Sequence, residues 1–213
     1  MSPRNQKLRS NLEWLYQRYT DTLLFHGWHH VAFVTRKSLE FAEELGVNKE
    51  LVEAAALTHD LNYISDVTSN VDAGRTLREE QLSTVGYSAE DIALIEQTVH
   101  TASVENRDAD ISDMAKALSD ADSLFKVMPV GLIVLSARFI TETKVDLRKW
   151  ADKIMRDQQP LLDKGIYFYT KTANDRYLEW AKVDLAAVAS IQQSLDDPDI
   201  QEFLEDCKKL GYL

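Results

Sequence analysis

The residues with the most chemistry to offer are His59 and Asp60, which close an apolar run from Leu51 to Leu57. Imidazole and carboxylate side by side suit Zn, Fe, Mn or Ni, and a metal ion is the usual reason for them to converge. An unpaired Asp at the end of a buried segment would be costly, so a partner is expected. Candidate partners lie on both sides. Upstream is Phe25-His26-Gly27-Trp28-His29-His30-Val31, and downstream Ala117-Leu118-Ser119-Asp120-Ala121-Asp122-Ser123-Leu124. His26 and His30 are four residues apart, the spacing that stacks side chains on one helical face. With Gly27 as a helix breaker, His26 lies just before that helix and can still face the same point. Asp120 and Asp122 both remain open as the carboxylate that completes the set.

The order His, His-Asp, Asp resembles the HD superfamily of metal-dependent phosphohydrolases. The stretch FHGWHHVAFV looks like the YHNWxHAxxV helix start of some members, cyclic-nucleotide phosphodiesterases included. AALTHDLNY resembles the family's AALLHDxxx, and SDADSLFKV its DADRLDxx. The likeness runs from about Phe25 to Val127. It implies His30, His59, Asp60 and Asp122 as metal ligands and His26 as general acid. Asp60 would also bridge metal and water and accept the water's proton. Asp120 would then orient a ligand histidine or stand behind the centre. His100 matches a histidine that relatives place beside the pocket, which implies a substrate-binding role. The implied cofactor is one divalent ion, open among Mn, Fe, Co, Ni, Zn and Mg. Two-metal relatives carry a histidine where this chain has Asn70. Ser123 stands where many relatives have Arg or Lys, a departure that weighs against a nucleotide-polyphosphate substrate. The function implied is hydrolysis of a small phosphate ester, such as a nucleotide, by metal-activated water. The alternatives are an HD-fold diiron oxygenase and a metal-binding regulatory module without turnover.

The elements that must position these residues read as helices. Seven Gly and four Pro in 213 residues favour long helices and short loops. Leu12, Leu15, Tyr16, Tyr19 and Leu23 recur at helical spacing over Asn11 to Leu24. A second helix is expected from Trp28 to Leu45 with Gly46 as its stop, and a third from an Asn48 cap to near His59. Asn62 to Asp72 reads as a loop crossing the site. Helices follow over Ala73–Val85 and after Ser88, whose spacing to Asp91 suits a capping box. Further helices are expected around Asp120, over Val130–Thr141 (as a buried element), Arg148–Leu162, Thr172–Leu195 and Ile200–Leu210. GIYFY, Gly165 to Tyr169, is strand-like and cannot make a sheet alone. Trp150, Trp180, Tyr167, Tyr169 and Tyr177 are expected to pack the C-terminal helices onto the core. The class is all-α: one domain over 1–213, with an HD core about 22–142 and a helical extension about 143–213.

Composition limits the partners. Apolar residues make up 45%, enough for a sizeable core, and 35 acidic against 24 basic residues give a net charge of -11. Such a surface argues against nucleic acid and anionic membranes as partners. A small phosphorylated substrate stays compatible, because a bound metal supplies local positive charge. The single Cys207 and the polar opening MSPRNQKLRS predict a cytoplasmic protein without signal peptide. The apolar helices outside the matched region offer surface for a homo-oligomer.

Overall fold

The computed structural model describes residues 2–65 and 70–211. It is all-α, with twelve α-helices among the described residues: α1 Pro3–Gln17, α2 Trp28–Leu45, α3 Lys49–Thr58, α4 Asn62–Ser65, α5 Arg75–Thr84, α6 Ala89–Ala102, α7 Asp113–Val127, α8 Pro129–Val134, α9 Ser136–Thr143, α10 Leu147–Asp163, α11 Lys171–Ser194 and α12 Pro198–Lys209. One 3-10 turn, Val71–Gly74, precedes α5. Among these residues no helix is long and apolar enough to cross a membrane.

Helix α2 lies at the centre, packed on α3 and α7, and α6 packs on both α3 and α7. The apolar stripes of these helices meet in one core. Val31, Val34 and Phe41 of α2 bury against the alanine-rich α3 and against Ala117, Ala121 and Leu124 of α7. Alanines in α3 let the helices approach closely, which brings the ends carrying polar residues together. Local signals set the boundaries. Gly46 takes φ 66 at the end of α2, a conformation L side chains rarely adopt. The side chain of Asn48 accepts the amides of Glu50 and Leu51 at the start of α3, and that of Ser88 accepts the amide of Asp91 at the start of α6.

Four expectations change. The segment expected as a loop from Asn62 to Asp72 contains α4 and the start of the 3-10 turn; its residues 66–69 lie outside those described. The element expected as one buried helix over Val130–Thr141 is two, α8 and α9. Val130, Val134 and Ile133, the last 82% exposed, face outward. An apolar run is buried only where a neighbour covers it; α8 meets α7 and α11 and turns Gly131 and Leu132 to the pocket, which leaves these three side chains outside. The first helix begins at Pro3 and ends at Gln17, with turns carrying the chain on to Leu23. GIYFY forms no strand; it is a loop whose Tyr167 and Phe168 are nevertheless buried, with the Tyr167 hydroxyl donating to Gln158 Oε1.

Helices α10 and α11 pack on one another, and α11 also contacts α7. The tie is made by Asp120. Its Oδ1 accepts the Tyr169 amide at 2.8 Å, and its Oδ2 accepts the Thr170 amide at 2.7 Å and hydroxyl at 2.8 Å. Thr170 is in turn the N-cap of α11. Burial pushes the Asp120 carboxyl up to about 6 against the pull of these hydrogen bonds. Asp120 therefore anchors α11 to α7; its hydrogen bonds go to Tyr169 and Thr170 rather than to a histidine.

Candidate metal centre and pocket

Three helices deliver the central group. His30 comes from the first turn of α2, His59 caps the C-terminus of α3 with Asp60 next to it, and Asp122 comes from α7. Ligand atoms of His30, His59 and Asp122 all lie within 4.8 Å of one another. His30 Nε2 is 3.0 Å from His59 Nε2 and 3.6 Å from Asp122 Oδ1. Asp60 joins through the histidines, with Oδ2 2.9 Å from His30 Nε2 and 3.3 Å from His59 Nε2.

These residues fit a metal ion. Neighbouring ligands around an ion with bonds near 2.1 Å sit about 3.0–3.4 Å apart, by tetrahedral or octahedral geometry. The separations of 2.9–3.6 Å lie around that range. His59 Nδ1 donates to the Ala56 carbonyl at 2.8 Å, which leaves its Nε2 lone pair facing the centre. Asp60 Oδ2 is buried without a hydrogen-bond partner among the described residues, an oxygen that calls for a cation. Burial alone would raise the Asp60 carboxyl. The neighbouring His59 and His30 outweigh it and hold Asp60 well below the usual carboxylate range. Asp122 is also lowered, its burial offset by Lys126 and the two histidines. Lys126, one helical turn on, grips Asp122 Oδ2 at 2.6 Å and leaves Oδ1 toward His30.

Beside the centre lies a second pair that spacing alone does not suggest. His26 Nδ1 donates to Glu142 Oε1 at 2.5 Å, and Glu142 Oε2 accepts the amides of Phe25 and His26 at 2.6 and 3.2 Å. Burial pushes Glu142 up, but these bonds and the charge of His26 keep it below its ordinary value. The His26 ring stacks on Tyr63, centroids 3.5 Å apart and planes within 11°. Glu142 sits at the end of α9, 116 residues from its partner, and only its place after an apolar run marks it in the sequence. His29 is exposed, its ring centroid 6.0 Å from that of Phe125.

The pocket above the centre has a volume of about 160 Å³. Its floor includes His26, His59, Asp60, Asp122 and Lys126, and its far wall includes Trp150, Lys153, Gln158 and Asp184 from α10 and α11. Trp150, expected only to pack the C-terminal helices, thus also lines the pocket. His100 is not brought there. It is exposed on the last turn of α6, its Nε2 near Asn106 Nδ2, while Val99 and Ala102 of the same helix face the pocket. A residue one position along a helix is turned by about 100°, enough to move it off the wall. Ser123 is buried at 3% exposure, and the cation beside Asp122 is Lys126. Asn70 caps the 3-10 turn by accepting the Asp72 amide.

Residues 27–126 match the sequence model of the HD domain. A sequence comparison with curated proteins finds no match. Among solved structures the chain is similar to YpgQ of Bacillus subtilis, at 20% identity and TM-score 0.61, over 90% of this chain and 97% of that one. YpgQ in complex with ADP matches at 22% identity and TM-score 0.59, over 93% and 99%. A Lactobacillus plantarum protein matches at 17% identity and TM-score 0.67, over 92% and 96%. At these identities the likeness is one of fold.

Proposed function

We propose that the chain, an HD-domain protein by its match over residues 27–126, cleaves a small phosphate ester such as a nucleotide, with water activated at the His30, His59, Asp60 and Asp122 centre. The observation that carries this reading is the convergence of ligand atoms from α2, α3 and α7 at the floor of a pocket. The similarity to a protein solved with ADP supports a nucleotide. A divalent ion held there supplies Lewis acidity, lowering the pKa of water and polarising a phosphoryl oxygen. Asp60, ionised beside the centre, would take the proton of the attacking water. His26, with Nδ1 committed to Glu142, has Nε2 free to protonate the leaving oxygen. Lys126 adds positive charge at the floor for the phosphoryl group.

No comparable observation favours a diiron centre. His26 is tied to Glu142, and His100 is exposed away from the pocket. Purified protein is expected to bind about one equivalent of a divalent ion. His59→Ala should lose it, as read by elemental analysis. Full occupancy in both His59→Ala and Asp60→Ala would sink the assignment. A phosphatase and nucleotidase screen with Mn, Ni and Co then decides turnover. Metal bound with no phosphate ester cleaved would point to a regulatory module instead.

A further inference from the structure

The pocket wall formed by α10 and α11 holds one group that the reaction above does not use. Asp184 is only 7% exposed, lines the pocket, and has its Oδ1 buried without a hydrogen-bond partner among the described residues. Burial pushes its carboxyl up to about 6. Buried carboxylate oxygens are ordinarily satisfied, so this one calls for a donor from outside the chain.

The surroundings restrict that donor. The pocket's lysines are already engaged, Lys153 with Asp157 at 2.7 Å and Lys126 with Asp122 at 2.6 Å. Leu132, Leu135, Phe139, Trp150 and Ile154 give the pocket apolar walls. A cavity of about 150 Å³ holds one benzene, so a pocket of about 160 Å³ encloses one ring at a time, a pyrimidine or the amino-bearing ring of a purine. An alkylammonium would shed its hydration shell among apolar side chains and approach two lysines. A flat ring carrying a neutral N–H donor fills the same space at lower cost.

We propose that Asp184 selects the base of the substrate by accepting a hydrogen bond from an exocyclic amino group, so that amino-bearing bases are bound in preference to their oxo-bearing counterparts. The inference rests on the nucleotide reading above, with the phosphoryl group at the metal centre and the base under α10 and α11. An oxo group in the same place sets a carbonyl lone pair against a carboxylate and leaves both unsatisfied. That difference corresponds to about tenfold to a hundredfold in affinity.

Calorimetry with nucleosides tests this without any chemistry, using the pairs adenosine and inosine, guanosine and xanthosine, and cytidine and uridine. The amino member of at least one pair should bind about tenfold tighter or more. Asp184→Asn keeps the size of the side chain, and its amide can donate to an oxo group, so the preference should fall or invert. In Asp184→Ala the two members should agree within about twofold, since neither finds a partner. Equal affinities in every pair overturn the proposal, as does a ratio unchanged in Asp184→Asn. No nucleoside binding up to millimolar concentration, or tighter binding of ethanolamine or choline than of any nucleoside, overturns it as well. The two readings fail separately. Discrimination by a protein that hydrolyses no nucleotide sinks the hydrolase and keeps the base site, and hydrolysis without discrimination does the reverse.

Discussion

At the scale of single residues, the pair His26 and Glu142 separates proton transfer from metal binding. His26→Ala should keep metal and fold while turnover falls about 10²–10⁴-fold, the usual contribution of a positioned acid. Glu142→Gln should lower turnover less, because it loosens the ring that Oε1 holds without removing it. Both losses should shrink on nitrophenyl esters, whose leaving group hardly needs a proton. Equal losses on good and poor leaving groups would rule out the acid role. Asp184 makes a second prediction, on stability. Its folded carboxyl titrates near 6, above the ordinary 3.8. The raised value means that the folded state holds the proton more tightly than the unfolded one. Stability is therefore full below about pH 4 and is lost as pH rises through about 6, by on the order of 2 kcal/mol. Asp184→Asn removes that loss. Its melting temperature should exceed the parent's at pH 7–8, with the gap closing toward pH 4. A gap that is constant with pH would refute the assignment.

At the scale of elements, α7 serves two sites two residues apart, with Asp122 facing the histidines and Asp120 holding the N-terminus of α11. Asp120→Ala removes three hydrogen bonds and leaves the Tyr169 and Thr170 amides without that acceptor, a loss of about 2–4 kcal/mol. Denaturant titration should show this while metal content at saturation stays near the parent's. Loss of metal with unchanged stability would instead place Asp120 at the centre. The 3-10 turn before α5 supports the site from below. A Cβ on Gly74 would lie 2.4 Å from the Asn62 amide nitrogen, so only glycine allows this approach to the backbone just after Asp60. The buried Arg78–Glu96 pair holds the same turn, with Arg78 Nη2 also donating to the Val71 carbonyl at 3.0 Å.

At the scale of the whole molecule, metal binding and stability are linked. The centre joins α2, α3 and α7, whose mutual packing makes the core. An ion at 100 times its Kd should stabilise the fold by about 2.7 kcal/mol. Adding Mn should raise the melting temperature, a chelator should reverse the rise, and His59→Ala should show neither effect. An equal shift in His59→Ala would mean the ion binds elsewhere. The acidic surface offers such places, given a net charge of -11, so the variant is the necessary control.

The all-α class and most helix boundaries were legible in the sequence because they depend on local signals. Apolar spacing, Gly46 in its left-handed turn, and the Asn48 and Ser88 caps each act within a few residues. The order of His30, His59–Asp60 and Asp122 was legible too, because each member sits in a short stretch of recognisable composition. Partners far apart along the chain were not. Glu142 meets His26 across 116 residues, and Asp120 meets Thr170 across 50. Neither pairing leaves a period or spacing to read. Whether α8 is covered, which way His100 turns, and that α10 and α11 wall the pocket with Trp150 and Asp184 depend on how finished helices pack. Only the tertiary structure decided them, because a helix's own sequence sets which faces are apolar but not which neighbour meets each face.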